Sequence, residues 1–267
     1  MLLFFIGGGF GFWYFFDLLK DNPNNLARLF TAFYETPTNF VSNGLRWVNP
    51  IADMMIPQRA LLFGWALLFP CLFLLHRAAI KRDTGSFLPL AILAGCLPLV
   101  HTHSFLALGI VSGFYFLRSL YHRQGKKQLL GFALYLGIVL LLALPQLVFF
   151  TFRQSGSFLK VHFNWANESD NYFWFYIKNF GLIALLAPIA FVSARREDRG
   201  VVGGAILIWI VAEFIQFQPN PYDNNKLLFI SFAYTCGLVG SWLIDAKDRL
   251  MRGGIRNRIS TAMLSVV

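Results

Sequence analysis

Long apolar stretches separated by short polar segments dominate this chain. Eight of them approach the roughly 20 mostly apolar residues that a helix needs to cross a bilayer: 1–16, 57–76, 86–101, 104–121, 128–150, 172–193, 201–217 and 227–244. We interpret the short third and fourth stretches as a hairpin, because a polar break lies between them, His101-Thr102-His103-Ser104. The pattern predicts an all-α fold, a polytopic transmembrane helical bundle of about eight spans.

The composition agrees with a membrane environment. Hydrophobic residues make up 57% of the 267 and charged residues only 13%, whereas soluble domains have about 45–50% and about 25%. The 30 Phe and 7 Trp suit a lipid-facing surface, because aromatic rings settle at the level of the lipid head groups. The net charge is +10, but the basic residues lie in short loops, which excludes a nucleic-acid partner and predicts membrane lipids as partners.

The distribution of Lys and Arg predicts the orientation, since cytoplasmic loops are enriched in both. The loops on one side hold 15 cations and five acids, and those on the other side hold eight of each. All of the net charge therefore lies on one face. We predict a multi-pass protein of the plasma (inner) membrane, with the N-terminus and the basic loops in the cytoplasm and with 17–56, 151–171 and 218–226 outside.

The chain ends suggest a piece of a longer protein. Met1 leads directly into an apolar run without a basic flank, and 259–267 begins another apolar run. We therefore interpret 1–267 as a single transmembrane domain truncated at both ends, in which the outer loop 17–56 forms a small subdomain.

Cations are predicted at the outer ends of the four spans that begin there, although helix N-termini carry a partial positive charge. They are Arg59, His103, Lys178 and Lys226. An anion such as phosphate would make this placement favourable. In the alternative interpretation, Arg59 and Lys226 reach the phosphates of membrane lipids, while Asp223 and Asn224 only cap the last helix.

The segment before the last span concentrates carboxylate, amide and ammonium groups: Tyr222-Asp223-Asn224-Asn225-Lys226. Such a mixture of donors and acceptors binds sugar hydroxyls and phosphate oxygens. We predict that Asp223, Asn224, Asn225 and Lys226 contribute to one phosphate- or sugar-binding site with Arg59.

His101 and His103 allow two interpretations. On a helix, side chains two residues apart diverge by about 200° and cannot ligate the same metal, whereas in a turn they can. We predict that both histidines hydrogen-bond to phosphate or sugar, and we assign no metal site. A divalent metal cofactor stays an alternative.

These motifs together resemble the middle portion of GT-C-type glycosyltransferases, over about 1–245. The segments that carry the resemblance are Gly7-Gly8-Gly9-Phe10-Gly11-Phe12, Asn49-Pro50, Pro57-Gln58-Arg59-Ala60, His101-Thr102-His103-Ser104, Ala143-Leu144-Pro145-Gln146 and Tyr222-Asp223-Asn224-Asn225-Lys226. The resemblance implies a GT-C-like fold and sugar transfer from a polyprenyl-phosphate donor, with a catalytic acid in the first outer loop. In a fragment that loop precedes Met1; in a complete chain Asp17 and Asp21 occupy its place.

We therefore predict a membrane glycosyltransferase that uses a lipid-linked sugar phosphate on the extracytoplasmic face. The alternative is a transporter or flippase of an anionic lipid or a small acid. In that alternative Glu213, an ionisable residue inside a predicted span, would relay protons together with the histidines.

Overall fold

The computed structural model describes residues 2–27, 31, 39–152, 159–218 and 220–252. Helices dominate these residues, which confirms the all-α prediction. In chain order they are α1 (Leu2–Phe5), α2 (Gly11–Asp21), α3 (Arg59–Ala79), α4 (Phe87–Val100), α5 (Thr102–Tyr121), α6 (Lys126–Gln146), α7 (Tyr172–Phe180), α8 (Leu182–Ser193), α9 (Arg196–Phe214) and α10 (Asn225–Arg252). Four two-residue strands accompany them: β1 (Asn39–Phe40), β2 (Leu45–Arg46), β3 (Lys160–Val161) and β4 (Ile215–Gln216).

The chain folds into two compact units. Unit 1 comprises residues 1–47, 171–202 and 232–267, and unit 2 comprises residues 48–170 and 203–231. Each unit contains one antiparallel strand pair, β1 with β2 in unit 1 and β3 with β4 in unit 2. Helices α9 and α10 contribute residues to both units.

Within the described residues, four helices are long and apolar enough to cross a membrane: Arg59–Ala79, Thr102–Tyr121, Lys126–Thr151 and Tyr222–Met251. A fifth crossing results if α7 and α8 are counted as one broken span. Four of the predicted spans, 57–76, 104–121, 128–150 and 227–244, are therefore confirmed as apolar helices of membrane length. The predicted span 86–101 contains α4, whose 14 residues extend only roughly 21 Å.

The predicted spans 1–16 and 172–193 are not continuous helices. The glycine run after α1 interrupts the first, because Gly9 lies against the backbone of Lys178 and Asn179, where a Cβ atom would have no room. The second bends by 101° at Gly181. Gly181 has φ +59°, a left-handed conformation that glycine adopts without strain.

In unit 1, helix α7 holds the β1–β2 hairpin through its last turn. Asn179 Oδ1 accepts a hydrogen bond from Arg46 N (2.7 Å), and Asn179 Nδ2 donates to Gly44 O (3.0 Å). Lys178 is 2% exposed; its ammonium donates to the Asn43 carbonyl and lies 5.6 Å from the centre of the Tyr14 ring. Lys178, predicted at the start of its span, therefore lies in the last turn of α7 and contributes to the packing of unit 1.

In unit 2, glycines allow α4 and α6 to pack closely. A Cβ atom at Gly95 would meet the Leu142 side chain, and one at Gly131 would meet the Phe87 ring. Small residues are common where membrane helices approach each other, because they bring the backbones into contact. Near the N-terminus of α6, Gln128 Nε2 donates to the Ala78 carbonyl (2.7 Å), which lies at the C-terminus of α3.

Gln146 forms hydrogen bonds with the backbone of α4 next to Pro98. Leu99 N donates to Gln146 Oε1 (3.0 Å), and Gln146 Nε2 donates to Gly95 O (2.8 Å). A proline inside a helix disturbs the hydrogen bonds around it. The carboxamide thus binds two backbone groups of α4 and fixes the position of α6 along α4.

Candidate functional site

His101 lies in unit 2 at the junction of α4 and α5. Its extended backbone (φ −161°, ψ 102°) separates the two helices, and its side chain is only 8% exposed. The imidazole lies on Gly64 of α3, where any Cβ atom would overlap the ring. His101 Nδ1 is 2.8 Å from Ser104 Oγ, whereas the buried Nε2 has no hydrogen-bond partner among the described residues.

His103 lies in the first turn of α5, beside His101. It is 6% exposed, and the two ring centres are 5.4 Å apart. Its Nε2 is also buried without a hydrogen-bond partner in the described part of the chain. Each of the two neighbouring imidazole rings therefore has one nitrogen without a hydrogen bond to the described residues, although buried polar atoms are normally hydrogen-bonded.

Lys226 and Asp223 lie close to the two histidines. Lys226 Nζ and Asp223 Oδ1 form an ion pair of 2.9 Å, with side chains 14% and 31% exposed. The ammonium is close enough to interact electrostatically with both imidazoles, and the Asp223 carboxylate with that of His103. Four of the residues predicted for the site are thus neighbours; we call these four, His101, His103, Asp223 and Lys226, the imidazole–lysine cluster.

Asn224, also predicted for the site, has its side chain hydrogen-bonded to the backbone. It is completely buried; Nδ2 donates to Ala212 O (3.1 Å) and Ile215 O (2.6 Å), and Oδ1 accepts from Phe217 N (3.0 Å). These bonds connect the turn before α10 to the end of α9. Asn225 is the first residue of α10 and is 1% exposed.

Arg59, Asp17 and Asp21 have other surroundings. Arg59 is the first residue of α3 and is exposed, and its side chain forms no hydrogen bond or ion pair with the described residues. Asp17 and Asp21 belong to α2 in unit 1; Asp17 is 56% exposed and pairs with Lys20 (2.9 Å). Another acid, Asp53 in unit 2, accepts from Asn49 N (2.9 Å), and partial burial raises its pKa.

The chemistry of the cluster favours an oxyanion over a metal ion. Among the residues that the structure describes, no three His, Cys, Asp or Glu side chains are grouped as metal ligands. An ammonium beside the imidazoles would also repel a cation. Lys226 and imidazole N–H groups can instead donate to phosphate oxygens.

No family model matches this chain, and neither the curated proteins nor the solved structures include a significant match. The resemblance to GT-C-type glycosyltransferases therefore stays a prediction from the motifs. Any functional proposal depends on the cluster itself.

Two residues that shape the cluster are not among the predicted site residues. Ser104 follows His101, the N-cap of α5, by three positions. Side chains at the N-cap and at the third helical position often interact, so this partner could have been found in the sequence. Gly64 provides the space for His101 from another helix. The position of Gly64 in the sequence gives no indication that it contacts His101.

Proposed function

We propose that this chain belongs to a membrane glycosyltransferase of GT-C-like architecture, with about eight crossings, that takes a sugar from a polyprenyl-phosphate donor on the extracytoplasmic face. The observation that carries the proposal is Lys226, whose side chain is only 14% exposed, at the start of a membrane-length helix beside two buried histidines. A phosphate head group at the membrane surface meets such a cation while its lipid tail stays among the apolar helices.

The cluster suits the leaving group of a sugar transfer. When the bond between the sugar and the phosphate breaks, negative charge develops on the phosphate oxygens, and a fixed cation stabilises that charge. Lys226 supplies the cation in this proposal. The groups that bind the sugar and activate the acceptor are not assigned.

A transporter of an anionic lipid or small acid is the second candidate, and one observation favours it. Glu213 is 3% exposed near the C-terminal end of α9, in the same unit as the cluster. A buried carboxylate in an apolar helix is typical of proton relays. In this alternative the same cluster would bind the anion during transport.

A head-group comparison tests the proposal. The purified chain in detergent is titrated with a polyprenyl phosphate, the same lipid carrying a sugar on the phosphate, and the corresponding polyprenol. We expect both phosphate lipids to bind at least about tenfold more tightly than the alcohol, because charge-assisted hydrogen bonds contribute about 1.5–3 kcal/mol. Equal binding of the polyprenol would contradict the proposal.

The same chain in proteoliposomes separates the two candidates. A transporter moves labelled phosphate lipid or a small acid across the bilayer, and it does so faster when a proton gradient is imposed. A transferase binds the donor without moving it. Protein-dependent movement that stops in Glu213→Gln would favour the transporter.

The proposed orientation gives a labelling prediction. Single cysteines replace Gly125, which has open space around it, or the exposed Ser169, in a chain whose native Cys71, Cys96 and Cys236 are changed to alanine. In intact cells, an impermeant thiol reagent should label the cysteine at 169 and not the one at 125. After the cells are permeabilised both should react. The reverse pattern in intact cells would show that the basic loops lie outside.

A further inference from the structure

We propose that Lys226 Nζ and the Nε2 atoms of His101 and His103 form a binding site with three donors for a phosphate oxyanion, which we call the seat. We also propose that the Asp223 carboxylate pairs with Lys226 until the oxyanion displaces that carboxylate. The inference rests on the proposed function and deepens it, because it assigns the atoms that bind the phosphate and names an internal competitor. It applies equally to a lipid head group and to free phosphate.

The unused nitrogens are the first support. His101 and His103 are 92% and 94% buried, and each has a buried Nε2 without a partner among the described residues. Leaving such an atom unsatisfied is unfavourable. Because both atoms belong to adjacent rings close to one ammonium, one ligand with several oxygens can satisfy them together.

The arrangement of charges indicates that these nitrogens act as donors. Positive imidazolium rings next to Lys226 would repel it in a buried environment, so the seat uses neutral rings, each with one N–H. The Ser104 hydroxyl, 2.8 Å from His101 Nδ1, can donate to that nitrogen and leave the proton on Nε2. A phosphate has enough oxygens for all three donors, whereas a carboxylate has two.

Asp223 occupies the position of a competing anion. Its carboxylate pairs with Lys226 at 2.9 Å, so a phosphate has to displace it or share the ammonium with it. The pair is partly exposed, which allows the aspartate to move away at low cost. Removal of this carboxylate should therefore strengthen phosphate binding, the opposite of what a ligand-binding aspartate would give.

The test is a titration of the purified full chain with inorganic phosphate and, separately, with a polyprenyl phosphate. His101→Leu and His103→Leu should each weaken binding of both ligands by about fivefold, the effect of one lost hydrogen bond. Asp223→Asn should tighten binding of both by about three- to tenfold. His162→Leu, which changes an exposed histidine of the same unit, is the matched control and should leave binding unchanged.

A measurement on the unmodified chain avoids any dependence on how the leucine variants fold. Nitrogen NMR of ¹⁵N-histidine distinguishes a protonated ring nitrogen from one with a lone pair. We expect Nε2 of His101 and His103 to carry the proton and to change resonance when inorganic phosphate is added. A lone pair on both Nε2 atoms in the phosphate complex would overturn the seat.

The two ligands separate this inference from the proposed function. Binding of inorganic phosphate that depends on the histidines, without binding of the polyprenyl phosphate, would support the seat and contradict the lipid-linked donor. Binding of the polyprenyl phosphate that is unchanged in both histidine variants, or weaker in Asp223→Asn, would refute the seat and leave the donor proposal in place. If neither ligand binds, both proposals fail.

Discussion

Replacing Lys226 with methionine should raise the dissociation constant for a polyprenyl phosphate about ten- to a hundredfold. Methionine keeps the length and the apolar part of the side chain but removes the ammonium. A charge-assisted hydrogen bond contributes roughly 1.5–3 kcal/mol, and each 1.4 kcal/mol corresponds to about a factor of ten in affinity. The measurement is a titration of the purified chain and the variant with the lipid in the same detergent.

Two matched variants test whether the position of the charge matters. Lys226→Arg keeps the charge and should cost less affinity than Lys226→Met. Arg59→Met removes a cation from the start of another helix, but Arg59 is exposed and forms no hydrogen bond or ion pair with the cluster, so its effect should be less than about threefold. If Lys226 only reached the phosphates of surrounding lipids, Lys226→Met would bind the polyprenyl phosphate as tightly as the unmodified chain.

Asn224→Ala should lower the free energy of unfolding by about 2–4 kcal/mol. The substitution removes three hydrogen bonds. Ala212 O keeps the bond from Trp165 Nε1, whereas the part-buried Ile215 O and Phe217 N lose the partner that Asn224 provides. A typical net contribution is about 1 kcal/mol per hydrogen bond, and an unsatisfied buried group costs about 1–3 kcal/mol. Reversible denaturant unfolding in detergent measures the change, with α-helical circular dichroism as the signal.

Asn220→Ala is the control for this effect. Asn220 is exposed, and its side chain accepts one hydrogen bond, from Tyr222 N (3.1 Å). Water can replace that bond, so the loss should stay below about 1 kcal/mol. Similar losses for the two variants would show that the connection between α9 and the start of α10 contributes little stability.

The hydrophobic pattern predicted the long helices, but it could not predict where an apolar segment is broken and bent. A hydropathy window counts apolar residues, and 172–193 contains enough of them for one span. It does not record that Gly181 adopts φ +59° and divides the segment into helices of 9 and 12 residues. At 1.5 Å per residue these extend only roughly 14 and 18 Å. The bend depends on a close backbone approach, to Gly8 and Gly9, which local sequence does not encode.

The candidate site was predictable only in part for a similar reason. The positive charges at helix starts pointed to His103 and Lys226, but this criterion gave Arg59 and Lys178 equal weight. Tertiary packing separates them, because only the folded chain shows which helix ends are neighbours within a unit. Asn224 illustrates a second limit, since an amide that binds a ligand and an amide that binds backbone look the same in a polar turn.

The contact between Gln146 and α4 has a consequence for biogenesis. Helix α4 emerges from the ribosome before α6, and until α6 follows, Leu99 N and the Gly95 carbonyl lack the carboxamide that bridges them. Unpaired backbone groups are costly in hydrocarbon, and α4 is short. In the proposed membrane protein, stable integration of α4 should therefore depend on α6, and the two segments should insert as a cooperative pair although a complete helix separates them in the chain.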